Sequence, residues 1–596
     1  MLESLPRSPR DLLRTSSSRS LLGRARPGLL MLASLSLLAP GCSGRDEAAA
    51  EVTPPVAPAL DATPPANMTV EIWFSGGRDA LTGVRDQVRA ETLRTMLPAT
   101  MGELYERFAP IPGNVRARVR DDAPLVAVRV EDEAQVVAAL VTLDTGTAPL
   151  GTSVPMVSGG PSGSRFVGTA PVAGQPVVVL YEDVLLMARD PAHIQAALGY
   201  LVSRVRSAEL GAPGLHIRSA EGVIARRART ELEGALDQHV AAALAAVRAE
   251  REAHAAPPAL GDPEAFVQTI STAMRALTAY MPDVATVTAW IGPTAHGLGV
   301  TFEGELTPGS PAARALAAMP EVPTAALGRL PQGTSIGGIV APAAQEEGLL
   351  AMLAEVGGQR LRPEDQAALT ALSASQRERS WGVLMFGLGA TDEGGFALLA
   401  TPSGPGAEAS ALNAALATPY VRALLGDLLG CPNAEPRRNL AVAARVPVCT
   451  RATPPVPALH HQADDTHSVL ALAQSPNDAT VHPLPAAFFT ELGSPADAVA
   501  PHSLAAQPDV ARALDSASPR VLSAWVVMPG HLGRAFGLLA FPAVRALGGA
   551  LTQDTPPAPI LVFVERVESG ARVRFSLTPG AFDQAAQSAL LTSQLF

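Results

Sequence analysis

The chain has 596 residues and a formal net charge of −11. All 45 of its basic residues are arginine, which excludes mechanisms that need a lysine amine, such as the P-loop, Schiff-base and Ser-x-x-Lys types. The acidic excess gives no basic field for nucleic acid, so no nucleic-acid partner is expected. With 47% hydrophobic residues, the chain is long enough for roughly three or four folded units of about 100–200 residues each.

Residues 1–41 are typical of an export signal. Arginines are frequent before residue 27, and an uncharged, mostly apolar run follows from Leu29 to Ala39. This run is too short to cross about 30 Å of hydrocarbon as a helix, and small residues follow it where a peptidase would cut. We therefore predict a cleaved signal peptide and an exported protein.

The end of this signal, Leu38-Ala39-Pro40-Gly41-Cys42, resembles the lipobox of bacterial lipoproteins. Gly41 and Cys42 match that motif, whereas the leucine stands one position early and Pro40 is atypical. The resemblance covers only the leader, and it implies that Cys42 is acylated and anchors the protein to a membrane. In that family a serine such as Ser43 after the cysteine, in place of aspartate, favours the outer membrane. A plain secretory signal is the open alternative.

The other two cysteines, Cys431 and Cys449, are predicted to form a disulfide, because an exported protein meets an oxidising compartment. A redox or nucleophilic thiol is the alternative, but Cys-x-x-Cys spacing is lacking. Residues 43–67 are rich in proline and lack apolar periodicity, so we expect an extended tether between the lipid and the folded region.

One arrangement recurs along the rest of the chain: two short β-type runs joined by a turn and followed by a capped helix. The predicted strand pairs are Val115–Val119 with Leu125–Val130, Val177–Tyr181 with Val184–Met187, Val284–Ile291 with Leu298–Leu306, Trp381–Gly389 with Phe396–Ala400, and Ile560–Val567 with Val573–Leu577. The helices predicted to follow them are Asp132–Leu140, a helix opened by Asp190-Pro191, Ala312–Met319, Ala407–Leu416 and Phe582–Leu591. Asp or Thr near each start can accept hydrogen bonds from free N–H groups, and proline fits the first turn.

This pattern predicts an α+β fold class, built from several antiparallel hairpin-plus-helix lobes. The units are irregularly spaced, so the sequence leaves open whether they are a true duplication. Ala220–His254 shows a helical apolar stripe and is predicted to be one long amphipathic helix. The predicted divisions are a signal peptide, a lipidated tether, a first lobe, the long helix, a second lobe region and a C-terminal lobe, at residues 1–41, 42–67, 68–210, 211–258, 259–450 and 451–596.

Two stretches carry residue types that could perform chemistry. The four residues His460, His461, Asp465 and His467 form the densest group of metal-ligand types, and helical spacing would place His461 and Asp465 on one face. A solvated polar loop after a proline-rich connector is the alternative. Gly333-Thr334-Ser335-Ile336-Gly337 matches Gly-x-Ser-x-Gly, but its flanks predict a turn entering a strand rather than a nucleophile elbow.

These observations favour a non-catalytic, lipid-anchored protein of the cell envelope that binds a ligand or partner or serves assembly. A protein or a small apolar ligand is a possible partner, and no cofactor is expected. The alternative is an envelope hydrolase that uses the His/Asp cluster to hold a metal ion. The sequence names neither the ligand nor the oligomeric state.

Overall fold

The computed structural model describes a part of the chain that excludes the leader and most of the tether. Cys42, Cys431, Cys449 and Asp465 lie outside this part, so the acylation and disulfide predictions stay predictions. The described residues are 62–89, 91–108, 111, 113–130, 134–143, 165–166, 176–207, 211–227, 233–253, 271, 281–295, 297–341, 367, 383–391, 394–401, 444–447, 457–463, 467–474, 484–492, 501–531, 556 and 558–585.

The described strands fall into two sets, one from each half of the chain. The first set is β1 (Met68–Ser75), β2 (Leu125–Val130), β3 (Ala134–Leu140), β4 (Arg165–Phe166), β5 (Val177–Tyr181), β6 (Val184–Ala188), β7 (Gly214–Ser219), β8 (Val284–Thr294) and β9 (Gly297–Leu306). The second is β10 (Val322–Pro323), β11 (Thr334–Val340), β12 (Leu384–Thr391), β13 (Gly394–Thr401), β14 (Ala444–Pro447), β15 (Pro457–Ala463), β16 (Ser468–Gln474), β17 (Arg520–Val521), β18 (Ser523–Val527), β19 (Ile560–Val567) and β20 (Gly570–Leu577). The short strands β10 and β17 pair separately, and the other 18 form one sheet.

The large sheet is antiparallel throughout and repeats one strand order. Read outward from the middle, the order is β9-β8-β7-β1-β2-β3-β6-β5-β4 on one side. On the other side it is β20-β19-β18-β11-β12-β13-β16-β15-β14. Each strand of the first half therefore has a counterpart at the same place in the second half. The topology is duplicated, which irregular spacing in the sequence had concealed.

The two half-sheets meet where β9 pairs with β20. Thr301 lies opposite Arg574 in this pairing. Thr301 comes four residues after Gly297, and Arg574 four residues after Gly570, and both glycines begin the second strand of their hairpin. Counterpart positions thus face each other across the junction, which places a local pseudo-twofold axis at this pair of residues.

Helices cover both faces of the first half-sheet. The described helices are α1 (Gly77–Gln87), α2 (Glu91–Met96), α3 (Met101–Glu106), α4 (Gly113–Arg116), α5 (Pro191–Arg206), α6 (Val223–Arg227), α7 (Glu233–Ala253), α8 (Pro311–Ala318), α9 (Ala325–Gly328), α10 (Leu484–Leu492) and α11 (Pro508–Asp515). Helix α5 packs on one face through Ile194 and Leu201, while α1, α3 and α4 pack on the other. Asp190 caps the N-terminus of α5, where its side chain accepts a hydrogen bond from the Ala192 N–H, and Pro191 occupies the first turn.

The second half-sheet has a corresponding helix. Helix α10 packs on β16 as α5 packs on β6, so both helices follow the sixth strand of their half and return onto it. Phe488 of α10 is buried in a core with Phe396 of β13 and Phe563 of β19. Helices α9 and α11 join the same core. Alternation along the strands places this core, the α5 core and the residues between them on one face of the sheet.

The class is confirmed as α+β with a large antiparallel sheet, and four of the five predicted strand pairs are present. They are β5 with β6, β8 with β9, β12 with β13, and β19 with β20. Helices α5 and α8 follow two of them as predicted, although Ser310 rather than Thr307 caps α8. Residues 581–585 are helical after β20, whereas Ala407–Leu416 lies outside the described residues.

The first predicted unit is wrong. Residues 134–140, predicted as helix, form strand β3, because Val136 to Ala139 are buried on both faces between β2 and β6 and a doubly buried strand shows no alternation. The predicted strand Val115–Val119 is instead helix α4 followed by a turn, with only Val119 bridging to Val141.

The predicted long helix and lobe boundaries also differ from the described structure. Helices α6 and α7 are present within Ala220–His254, but Gly222, with φ of 69°, precedes the helical start, and residues 228–232 lie outside the described part. Strand β7 pairs with β1 across the predicted boundary at residue 210, so the half-sheets, not the predicted segments, are the units of the sheet. Within the described residues, no helix is long and apolar enough to cross a membrane.

Candidate functional site

A single row of side chains crosses the junction on the face that carries α5 and α10. The register aligns Trp73, His216, Trp290, Thr301 and Arg574 on neighbouring strands. The row begins in the apolar core under α5, and its next member after Arg574, Phe563, belongs to the core under α10. At the junction the row consists of Thr301 and Arg574, two polar residues, and the junction therefore forms a polar gap between the two cores.

Trp290 lies flat on a floor made by two glycines. Gly292 and Gly299 pair across β8 and β9, and a Cβ on either would approach the indole to 2.6 or 2.7 Å. The indole Nε1–H donates to the carbonyl oxygen of Pro213 at 3.2 Å, which fixes the ring in its plane. The absent side chains are thus what allows the ring to rest on the sheet. Trp290 also borders the gap.

Charged side chains fill the other half of the gap. Arg572 donates from Nε and Nη2 to Oε2 of Glu303 at 2.9 and 2.8 Å, and its Nη1 lies 3.9 Å from Glu565. Glu565 is buried, with its side chain 8% exposed, and accepts a hydrogen bond from Ser518 at 3.0 Å. Arg574 lies 3.5 Å from the Glu565 carboxylate and over the Phe563 ring at 5.1 Å. Two carboxylates and two guanidiniums therefore neutralise one another.

These residues line a pocket of about 550 Å³. Strands β8, β9, β19 and β20 form its floor, and the segment after α11 forms one wall. That wall is fixed in place, because Arg574 Nη1 donates to the Ser516 carbonyl at 2.9 Å and Thr324 donates to the Ser518 carbonyl at 2.5 Å. The lining residues are Trp290, Thr301, Glu303, Ser516, Ala517, Ser518, Glu565, Arg572 and Arg574.

The pocket is asymmetric although the sheet around it is not. Gly299 comes two residues after Gly297, and Arg572 two residues after Gly570, so Gly299 and Arg572 are equivalent positions. Their cross-strand partners, Gly292 and Glu565, are equivalent for the same reason. The glycine pair supports an indole, whereas the charged pair occupies the same place in the other half-sheet. One side of the pocket floor is therefore an aromatic platform, and the other side is a surface of hydrogen-bonding side chains.

A serine and a histidine near the pocket do not form a catalytic pair. Ser75 Oγ lies 3.3 Å from His216 Nε2, but both atoms point at the carbonyl oxygen of Ala212, at 2.6 and 2.7 Å. Nε2 must carry a proton to donate to that carbonyl, so it has no lone pair to accept the serine proton. Burial lowers the pKa of His216, partly opposed by the Ala212 carbonyl, and the ring stacks on Trp73 at 4.8 Å. Together these contacts give His216 a structural role in the neutral form.

The predicted histidine cluster is arranged differently from the expectation. His460 and His461 lie in strand β15, so the helical spacing that was to join His461 to Asp465 is wrong at His461, and consecutive strand residues belong to opposite faces. These two residues therefore belong to a strand and not to a loop. His467 is buried, hydrogen-bonded through Nε2 to the Phe489 carbonyl at 3.0 Å and stacked on the Phe489 ring. Among the described residues no group of three metal-ligand side chains converges.

The Gly-x-Ser-x-Gly segment is confirmed as a turn entering a strand. Ser335 lies in β11 and is buried, with 1% of its surface exposed. Its carbonyl accepts the Met528 N–H at 2.8 Å, in the neighbouring part of the sheet. A nucleophile elbow needs an exposed serine between a strand and a helix, so the serine is structural here.

The pocket residues were not singled out from the sequence. Glu303 and Arg572 are far apart in the chain and meet only because β9 and β20 pair. The available signal was the alternation of Arg572 and Arg574 with apolar residues in one hairpin, and of Glu303 and Glu305 in the other. Opposite charges on the polar faces of two hairpins indicate that those strands can be neighbours.

No protein family, curated protein or solved structure matches this chain.

Proposed function

We propose that this protein is an exported, lipid-anchored component of the cell envelope that binds a small polar ligand without catalysis. On this proposal the two half-sheets with their helices are the two α+β lobes of the folded region, and the pocket at their junction is the binding site. In this proposal the proline-rich residues after Cys42 hold the lobes away from the membrane.

The observation that carries this proposal is the pocket itself. It has about 550 Å³ of space, a rigid indole on one side and a mutually neutralised set of ionic side chains on the other. Ligand sites combine a concave shape with a few fixed polar groups, and this pocket has both. Its carboxylates are engaged by arginines, an arrangement that suits the orientation of a ligand better than proton transfer.

A pocket-filling variant tests the binding site. Ser516→Trp places an indole at the rim, and Asp515→Trp places the same side chain one residue earlier, outside the lining. Calorimetric titration of the purified full chain would use neutral sugars, amino acids, dicarboxylates and diamines as probes. We expect at least one class to bind the wild type and Asp515→Trp but not Ser516→Trp. If no class binds, the pocket is not a site for small polar ligands.

The anchoring part of the proposal is tested separately. Replacing Cys42 by Ala removes the only acylation site that the lipobox resemblance suggests. We expect the wild type in the membrane fraction and Cys42→Ala in the soluble or unprocessed fraction, with Ser43→Ala as a control that remains membrane-bound. A Cys42→Ala protein that is still acylated would contradict the anchor.

A further inference from the structure

We propose that the ligand of the junction pocket is a neutral carbohydrate whose ring stacks on Trp290. This inference rests on the proposed function, because it names the ligand class of the same site. It follows from three features of the pocket: the flat indole, the balance of charge, and the donor and acceptor atoms that the ion pairs do not use.

The indole provides an apolar surface of fixed orientation. Gly292 and Gly299 support one face of Trp290, and the bond to the Pro213 carbonyl prevents rotation. Trp290 lines the pocket, so a ligand there meets an aromatic side chain held in one orientation. The C–H face of a sugar ring is flat and weakly apolar, and it packs on such a surface without needing a charge.

The charge balance of the pocket disfavours an ionic ligand. Glu303 and Glu565 are opposed by Arg572 and Arg574, so the lining has no net charge. A ligand with a net charge would bring an unpaired charge next to the buried Glu565 carboxylate or its arginines, which is costly in a half-buried site. A zwitterion would have to break the two hydrogen bonds between Arg572 and Glu303 to pair its own charges.

A ligand hydroxyl can hydrogen-bond to Glu303 and Arg572 without breaking the contacts between them. Both hydrogen bonds from Arg572 end on Oε2 of Glu303, so within the described residues Oε1 remains an acceptor. Nη1 of Arg572 is 3.9 Å from Glu565, beyond hydrogen-bond distance, and remains a donor. The pocket lining thus offers both an acceptor and a donor, which matches sugar hydroxyls, since each of these both donates and accepts.

The test uses matched tryptophan variants. Trp290→Phe keeps an aromatic ring but removes the wide indole and its bond to Pro213, whereas Trp525→Phe changes an indole on the opposite face of the sheet, where it packs on Phe386. The probes are glucose, N-acetylglucosamine, their disaccharides cellobiose and chitobiose, and the polymers cellulose and chitin. Binding is measured by calorimetry and by tryptophan fluorescence, with circular dichroism to verify that each variant is folded.

We expect a neutral sugar to bind and to change the fluorescence of the wild type and of Trp525→Phe. Trp290→Phe should bind the sugar at least about tenfold more weakly. Glu303→Gln should have an effect of the same size, because it changes the carboxylate that accepts from the sugar hydroxyl. Stronger binding of the polymers than of the monosaccharides would identify a glycan chain as the source, and equal binding a free sugar.

Three results would overturn the inference. Binding of amino acids, dicarboxylates or diamines in place of sugars would refute the sugar class and leave the proposed function standing. Sugar binding that is unchanged in both Trp290→Phe and Glu303→Gln would place the sugar elsewhere. Absence of binding by every probe would remove the inference and the proposed function together.

Discussion

Thr301 and Arg574 face each other across the middle of the sheet although they occupy equivalent positions in its two halves. One is a small hydroxyl residue and the other a large cation. The duplicated topology therefore supports a site whose two sides differ in chemistry. The divergence is concentrated on one face, since on the other face Phe302 and Phe575, also equivalent, are both phenylalanine and pack edge-on at 6.0 Å.

The glycine floor can be tested within a single strand. Gly299→Ala places a Cβ 2.7 Å from both Trp290 and the Thr294 methyl, so the indole must move. We expect a loss of about 1–3 kcal/mol in the free energy of unfolding, measured with urea, and a changed near-UV circular dichroism spectrum. Gly304→Ala, on the same strand but with no atom within 4 Å of its Cβ, is the control and should change neither. Equal effects of the two substitutions would contradict the conclusion that the Trp290 ring rests on Gly299.

The ion-pair network should contribute to stability through its buried member. Glu565→Gln removes a buried negative charge that lies beside two arginines and accepts a hydrogen bond from Ser518. We expect it to lower the free energy of unfolding by about 1–3 kcal/mol. Asp509→Asn removes one partner of an exposed helical ion pair with Arg512 and should cost less than about 0.5 kcal/mol. Urea unfolding at low and moderate salt would measure both. A Glu565→Gln protein as stable as the wild type would show that the network carries no net stability.

His216 should make the protein less stable in mild acid. Burial lowers its pKa in the folded state, so the unfolded chain binds a proton more readily. Stability then falls as the pH drops below the ordinary histidine value of about 6.5 towards the lower folded pKa. We expect the difference in unfolding free energy between wild type and His216→Gln to shrink from about pH 7 to about pH 5.

Unfolding free energies of wild type and His216→Gln, measured with urea at several pH values, would check this. If the two profiles run parallel from about pH 7 to about pH 5, the neutral structural role of His216 is wrong.

Two buried tyrosines should respond with opposite signs to loss of the hydroxyl. Burial raises the pKa of Tyr105, and its hydroxyl finds no hydrogen-bond partner among the described residues. Burial, together with Glu71, raises the pKa of Tyr200 to about 12, and its hydroxyl is hydrogen-bonded to Glu71. We expect Tyr105→Phe to gain and Tyr200→Phe to lose roughly 1 kcal/mol in urea unfolding. A destabilised Tyr105→Phe would indicate that a partner for that hydroxyl exists.

Local patterns predicted the hairpins well, because a tight turn and an alternating strand pair are properties of neighbouring residues. Val177–Tyr181 with Val184–Met187 is an example, and the Asp190 cap with Pro191 correctly predicted the helix that follows. Strand β3 was mistaken for a helix because Val137 and Ala139 are buried on the face opposite to Val136, so its pattern depends on what covers the sheet. That cover comes from distant parts of the chain.

The pocket could not be predicted for the same reason. The spacing of Glu303 and Arg572 in the chain contains no information about the pairing of β9 with β20. The clustered histidines, by contrast, looked like a site because they are close in sequence. His460 and His461 are consecutive residues of one strand and therefore belong to opposite faces of the sheet. His467 is hydrogen-bonded to the Phe489 carbonyl.

The pairing of β9 with β20 also sets the order in which the chain can complete its fold. Strand β9 lies near the middle of the chain, and its partner β20 is the last of the described strands. Until residues 570–577 are synthesised, one long edge of the first half-sheet has no strand to pair with, and such edges recruit strands from other molecules. A nascent or truncated chain is therefore at risk of aggregation at Gly297–Leu306, and completion of the C-terminal hairpin removes that risk.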